Sequence, residues 1–204
     1  AQGIDKIQKY ASLFGLDQKS GVEIEEMDPH VSDTDAVRSS IGQGTNNYAP
    51  VQLARYVTTI ANEGNCYDLT LVNEIKNIDG RTVYKSDNVP KNTVDLTDSQ
   101  WAVIKQGMRQ MVSEHTSPSA LINQINVNVA GKTGTAEEDT TRPDHALFVS
   151  FAPYENPEVS VTCVIPHGYT SGNAEELAGM VYAYMYDPDK LDTLDITGNN
   201  QMSD

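Results

Sequence analysis

The chain has 204 residues, 38% of them hydrophobic and 21% charged, a composition that suits one domain with a real core, or a large part of a bigger one, and excludes a disordered polymer. Fourteen basic against 29 acidic residues give a net charge of −15, and no basic cluster interrupts the acidic surface, which argues against nucleic acid as a partner. No apolar run is long enough to span a bilayer, and no signal peptide is expected within these residues.

Ala1-Gln2-Gly3 leads almost at once into a helix, which reads as an internal start in a longer protein. Ile4, Ile7, Ala11 and Phe14 recur at helical spacing, with Gly15 as the stop. Residues 16–40 are acidic and irregular, with a short strand expected at Val22–Ile24. In Ser39-Ser40-Ile41-Gly42-Gln43-Gly44-Thr45-Asn46-Asn47-Tyr48-Ala49-Pro50 the glycines and asparagines mark a turn, and Pro50 suits the first position of a helix. That helix carries Leu53, Ala54, Val57, Ile60 and Ala61 as one apolar stripe and ends at Gly64. A hairpin is expected over 69–85, around Asp79-Gly80.

A second long helix begins at Thr97, where Thr97 and Gln100 fit a capping box. Its expected buried face is Trp101, Ile104, Met108, Met111 and Val112. Residues 115–124 read as a polar loop. Next comes alternation, Ile125, Val127 and Val129 on one face against Asn126 and Asn128 on the other, running into Lys132-Thr133-Gly134-Thr135. After a charged loop at 137–144, two apolar strands, Ala146–Phe151 and Val159–Ile165, are joined by the short Pro153–Pro157 link. The three strands should form an antiparallel meander. A last helix is expected to present Leu177, Ala178, Val181, Tyr184 and Met185 on one face, ending near Asp187-Pro188. The C-terminal tail 187–204 is polar, and from 189 it reads as mobile.

Cys66 and Cys163 lie far apart and outside any Cys-x-x-Cys pair. Two free thiols are expected, with one disulfide left open. His30, His115, His145 and His167 are scattered without ligand spacing, so no metal and no other cofactor is expected.

The chemistry concentrates at Val127–Glu138. A cation, two hydroxyls and a glycine at the polar end of a strand are what a site needs to hold a carboxylate and a carbonyl oxygen. Lys-Thr-Gly alone is weak, since it arises by chance in about one in twenty chains of this length. A phosphate loop is the competing reading of Gly131-Lys132-Thr133, but it needs a glycine where this chain has Asn126. His145 begins a strand without a partner serine, so its expected role is structural. Tyr169, Thr170 and Ser171 read equally as a lip over the site or as a plain loop. Gln43 and Gly44 read as turn residues or as the floor of a site.

The ordered set of segments is more specific than the tripeptide. Ser40-Ile41-Gly42-Gln43-Gly44, Pro50-Val51-Gln52-Leu53-Ala54, Ile60-Ala61-Asn62-Glu63-Gly64, Ala130–Glu137 and His145–Pro153 together resemble the transpeptidase domain of the class B penicillin-binding proteins. The resemblance covers most of residues 1–186. It implies an α+β fold, like that of penicillin-binding proteins and serine β-lactamases, with an antiparallel sheet and helices packed on its faces. Here the fold is incomplete, with the three C-terminal strands present. The family works with Ser-x-x-Lys, Ser-x-Asn and Lys-Thr-Gly, of which only the last is found, so the nucleophile is expected before residue 1 and this chain alone should be inactive.

By the same resemblance, Lys132 and Thr135 are the catalytic candidates. Lys132, Thr133, Gly134 and Thr135 are the candidates for substrate binding. The implied partners are peptidoglycan stem peptides and β-lactams, and the parent would work in a cell-wall synthesis complex. The implied location is the outer face of the cytoplasmic membrane, anchored by an N-terminal segment outside this chain. The apolar Val159–Ile165 edge is expected to mediate a homodimer or a strand swap. Two alternatives remain: a non-catalytic β-lactam or muropeptide sensor of the same fold, and a serine β-lactamase, which the long insertion at 65–95 disfavours.

Overall fold

The computed structural model describes residues 3–193 apart from 88, 118 and 139, and of 192 and 193 only the backbone. The chain divides into two compact units, residues 1–98 and 99–204.

In the first unit, α1 (Ile4–Leu13) ends at Phe14, and Gly15 follows at φ 75°, a conformation that favours glycine. Helix α3 (Pro50–Ala61) starts on its proline, and the Gln52 Oε1 accepts from the Ala49 amide at 2.9 Å. Its inner face is more polar than the expected stripe. Val57 and Ile60 are buried, but so are Gln52, Arg55 and Thr59, while Leu53, Ala54 and Ala61 are only half-buried.

Arg55 organises this unit. Its guanidinium, 1% exposed, donates to the carbonyls of Gly15 and Gln18 and to Asp68 Oδ1. Charge-assisted bonds to carbonyls of the turn that follows α1 explain why an arginine is tolerated inside.

The strand expected at Val22–Ile24 does not form. Polar side chains hold this segment instead. The Ser20 amide and hydroxyl donate to Glu26, and the Glu23 carboxylate accepts from the Leu71 amide and the Thr70 hydroxyl. Those bonds, the Leu71 amide first, hold Glu23 below the usual carboxylate range. A short helix the periodicity did not reveal, α2 (Ala36–Ser39), is capped by Asp35, which accepts from the Arg38 amide.

The hairpin is present as β2 (Glu74–Lys76) against β3 (Thr82–Lys85), exposed throughout. Its turn is organised by Asn77, whose Oδ1 accepts from the Asp79 and Arg81 amides, with Gly80 at φ 78°. Two short strands, β1 (Asn65–Cys66) and β4 (Asn92–Thr93), also pair.

The second unit opens within α4 (Asp98–Gln110), which runs into one π-helical turn at Met111–His115. Trp101, Met108 and Val112 are buried, Met111 is half-buried and Ile104 is exposed. The buried face thus keeps helical spacing from Trp101 to Val112 but is narrower than the expected stripe. The expected polar loop contains a 3₁₀ turn at Leu121–Asn123 that buries Leu121 and Ile122.

The sheet is the antiparallel meander β5 (Ala130–Ala136), β6 (His145–Ala152) and β7 (Val159–Ile165), in that order. Before β5 the alternation of burial holds, with Ile125 and Val129 buried and Asn126 and Asn128 exposed. The backbone there has no strand partner. The Arg109 guanidinium takes the Val129 carbonyl and Asn128 Oδ1, and the Tyr154 amide takes the Asn128 carbonyl. The strand therefore begins five residues later than its pattern.

Helix α5 (Ser171–Tyr186) covers one face of the sheet, on a side other than the expected one. Ala174, Ala178, Gly179, Tyr182 and Ala183 are buried, whereas Leu177, Val181, Tyr184 and Met185 are exposed. Small residues allow close approach: a Cβ on Gly179 would stand 3.3 Å from the Ile122 amide. The Tyr182 hydroxyl is 3.0 Å from Ser150 Oγ, and burial pushes its pKa strongly upward. Beyond α5, a 3₁₀ turn at Pro188–Thr193 places Leu191 against this core. Residues 194–204 lie outside the described residues.

Candidate active site

Strand β5 brings the four predicted residues to one edge of the sheet. Its register against β6 sets Lys132 opposite Val149, Thr133 opposite Phe148, Gly134 opposite Leu147 and Thr135 opposite Ala146. Side chains alternate along a strand, so Thr133 and Thr135 share the face of Phe148, while Lys132 and Gly134 share the other. The outer side of β5 has no strand partner among the described residues. An extended peptide laid along it would have an ammonium on one flank and two hydroxyls on the other.

The local exposure suits a ligand. Lys132 and Thr135 are exposed, and Thr133 and Gly134 are half-buried. The Lys132 ammonium folds back onto the Thr133 carbonyl at 2.7 Å. Among the described residues no carboxylate pairs with it, although the chain carries 29 acidic residues. The Thr133 hydroxyl rests 3.9 Å from Met111 Sδ, which ties its rotamer to the π-helical turn. A Cβ on Gly134 would meet only Leu147 Cβ, at 3.4 Å, so the strand surface is open there.

Gly131 has a different job. A Cβ there would stand 2.4 Å from Phe148 Cζ, so this glycine lets the phenyl ring pack on the backbone. Residues 130–136 form a regular ladder with β6 and not a glycine-rich cradle, which removes the phosphate-loop reading.

The weaker candidates separate. Gln43 and Gly44 belong to the first unit, where Gly44, at φ 94°, packs against the hydroxyls of Ser32 and Ser39. Tyr169 is exposed at φ 66° and its amide donates to the Asp144 carbonyl, while Thr170 caps α5. Cys66 and Cys163 are both buried free thiols, and burial pushes the Cys163 thiol up.

Sequence reasoning missed one cluster. His145, His167 and Glu138 each offer a ligand atom, and these atoms lie within 4.8 Å of one another. The signal lay in strand register, not in motif spacing. His145 pairs with Ala136 across β5–β6, and Ala146 pairs with Ile165 across β6–β7, two residues before His167.

A three-stranded antiparallel sheet, with a small-residue helix behind it and a lysine–threonine edge in front, defines a penicillin-binding, serine β-lactamase-like fold. Residues 1–184 match the penicillin binding protein transpeptidase domain, and the chain belongs to that family, among the class B members. Penicillin-binding protein 2B of Streptococcus pneumoniae is 29% identical over 180 residues, 80% of this chain and 26% of the relative. The peptidoglycan D,D-transpeptidase PbpA of Mycolicibacterium smegmatis is 31% identical, with 81% of this chain and 35% of the relative covered. The solved imipenem acyl-enzyme complex of penicillin-binding protein A from M. tuberculosis superposes with a TM-score of 0.77 at 25% identity, over 89% of this chain and 42% of that one. The chain thus spans about a quarter to a third of the length of the curated relatives it matches.

Proposed function

We propose that this chain is the C-terminal part of the catalytic domain of a serine-type peptidoglycan D,D-transpeptidase, and that β5 is one wall of its acyl-transfer site. The observation that carries the reading is the edge of β5, where a lysine and two threonine hydroxyls flank a strand edge that, among the described residues, has neither a strand partner nor a carboxylate paired with the lysine, in a chain of this family.

In the proposed reaction a serine from the preceding part of the protein attacks the carbonyl of a D-alanyl-D-alanine stem peptide. The peptide bond breaks, the terminal D-alanine leaves with the proton, and an ester to the serine remains. An amine of a second stem peptide then attacks the ester, forms the cross-link and returns the serine hydroxyl. A β-lactam follows the first half of this path by opening its ring onto the serine.

Lys132 supplies positive potential for the terminal carboxylate and helps organise protons at the nucleophile. Thr133 and Thr135 offer hydroxyls to that carboxylate, and Gly134 leaves room for the peptide backbone. The Thr135 amide stabilises the developing oxyanion, a kind of donor whose loss costs about 3–4 kcal/mol. The nucleophile's own amide is the second donor. The substrate's short extended end suits pairing along β5.

The proposal places the parent protein on the outer face of the cytoplasmic membrane, held by a segment before residue 1, in a cell-wall synthesis complex. It also places a self-association surface at β7, whose outer edge has no partner among the described residues and carries no charged side chain from Val159 to Ile165. A fluorescent penicillin tests the catalytic reading. The full-length protein should take a covalent label and this chain alone should take none. An unlabelled full-length protein would overturn it.

A further inference from the structure

The end of β5 is tied down by a set of bonds that the proposed chemistry does not use. The His167 amide donates to His145 Nδ1 at 3.0 Å. A backbone amide cannot accept, so Nδ1 of His145 carries the lone pair and Nε2 carries the proton. That Nε2–H faces Glu138 Oε2 at 3.2 Å. His167 Nδ1 lies 3.1 Å from the Pro143 carbonyl and must therefore be the protonated nitrogen of its ring. The two rings lie against each other with centroids 4.8 Å apart and planes tilted by 37°. One step further, the Tyr169 amide takes the Asp144 carbonyl, and Asn173 takes the Gly168 carbonyl.

These bonds join two loops. One is residues 137–144, between β5 and β6, and the other is residues 166–170, between β7 and α5. Both close on the end of the sheet where β5 finishes. Ala136 is paired with His145, so the cluster sits one rung beyond Thr135, whereas Lys132 and Thr133 are held further along by Val149 and Phe148.

The same three residues have the makings of a metal site, and the tautomer of His167 leaves its Nε2 lone pair available for one, but the tautomer of His145 does not. A cation on His145 Nε2 would have to displace its proton while Nδ1 still accepts a backbone N–H. That demands an imidazolate, whereas metal-bound histidines ordinarily donate from their second nitrogen.

We propose that Glu138, His145 and His167 form a latch that fixes the end of β5, so that the Thr135 amide meets the oxyanion as it forms. Glu138 and His145 are positioning residues, because they touch neither substrate nor nucleophile. The assignment rests on the acyl-transfer reading above. It separates two effects. The part of carboxylate recognition that falls to Lys132 and Thr133 is insulated from the latch by the β5–β6 ladder. The rate of acylation, through Thr135, is not. Glu138 is largely exposed, and an exposed pair of this kind contributes little to global stability, so its removal should move the geometry more than the melting temperature.

The test uses the full-length protein and a chromogenic β-lactam, with the acylation rate constant and the noncovalent dissociation constant resolved by stopped flow. Glu138→Ala should slow acylation about tenfold, in line with the sensitivity of reacting groups to small misplacement, with the dissociation constant changed less than about twofold. Glu138→Gln should recover most of the rate, since an amide oxygen accepts the same N–H. His167→Asn should keep most of the rate, since its side-chain amide donates to the Pro143 carbonyl as Nδ1–H does and its backbone amide still meets His145. Melting temperatures of the Glu138 variants should match the parent. A wild-type rate in Glu138→Ala would overturn the latch. So would a Glu138→Gln protein as slow as Glu138→Ala, or Zn²⁺ binding that Glu138→Ala and His145→Ala both abolish. A wild-type protein that takes no label would instead remove the acyl-transfer reading beneath it.

Discussion

The two outer edges of the one sheet, β5 and β7, have the same backbone geometry and opposite side-chain chemistry. Edge β5 carries Lys132, two threonines and two glycines, and its centre is half-buried to exposed. Edge β7 carries Val159, Val161, Cys163 and Ile165 on the face under α5, with Ser160, Thr162 and Val164 on the other. Neither is paired on its outer side among the described residues. An unpaired edge recruits a strand, and what it recruits is decided by the flanking side chains. The β5 edge offers a cation and hydroxyls, so it suits a short peptide ending in a carboxylate. The β7 edge lacks the charges that ordinarily protect an edge, so it suits a permanent apolar partner.

The comparison is sharpened or broken by substitutions on each side. The largest effect is expected from Lys132→Ala. Penicillin labelling of the full-length protein should fall by about 100-fold or more, while the melting temperature of this chain holds. Unfolding of the variant would make the lysine structural. Next, Gly131→Ala should destabilise the chain by about 1–3 kcal/mol in urea titration, because its Cβ meets the Phe148 ring at 2.4 Å. Gly134→Ala should stay within about 0.5 kcal/mol, because that edge surface is open. Equal costs would mean that Gly134 is packed like Gly131.

On the other edge, Val164→Lys should weaken self-association of this chain about tenfold by light scattering, since a lysine blunts a strand edge. Self-association at the unsubstituted strength would place the contact elsewhere. The smallest effect lies behind the sheet. Burial raises the Glu175 carboxyl pKa, against the opposing bond from Thr116. An acid raised on folding makes stability fall as pH climbs from the ordinary carboxylate range, near ~4.3, through the raised value. Glu175→Gln should flatten that fall, as read from melting temperature against pH.

The sequence made β5 to β7 legible because alternation, turn residues and a short link all pointed to one meander. The tripeptide's place at the strand's polar end followed from the same pattern. Helix α5 was misread for a physical reason. A large apolar stripe outweighs alanines in any periodicity count, yet the face that is buried is the one with Ala174, Ala178, Gly179 and Ala183, where Gly179 lets the Ile122 turn approach closely. The exposed stripe of Leu177, Val181, Tyr184 and Met185 is an apolar surface of its own. Arg55 hid within the stripe of α3 because its partners, Gly15, Gln18 and Asp68, are distant in sequence. The histidine latch was invisible as a motif, since strand register rather than spacing brings His145 and His167 together.

The central claim is that β5 is one wall of an acyl-transfer site whose nucleophile lies in the preceding sequence. The direct measurement is covalent labelling by a fluorescent penicillin, run side by side on this chain, on the full-length protein and on its Lys132→Ala variant. Label on the full-length protein alone is the predicted result. Label on the isolated chain, or undiminished label on Lys132→Ala, would contradict it.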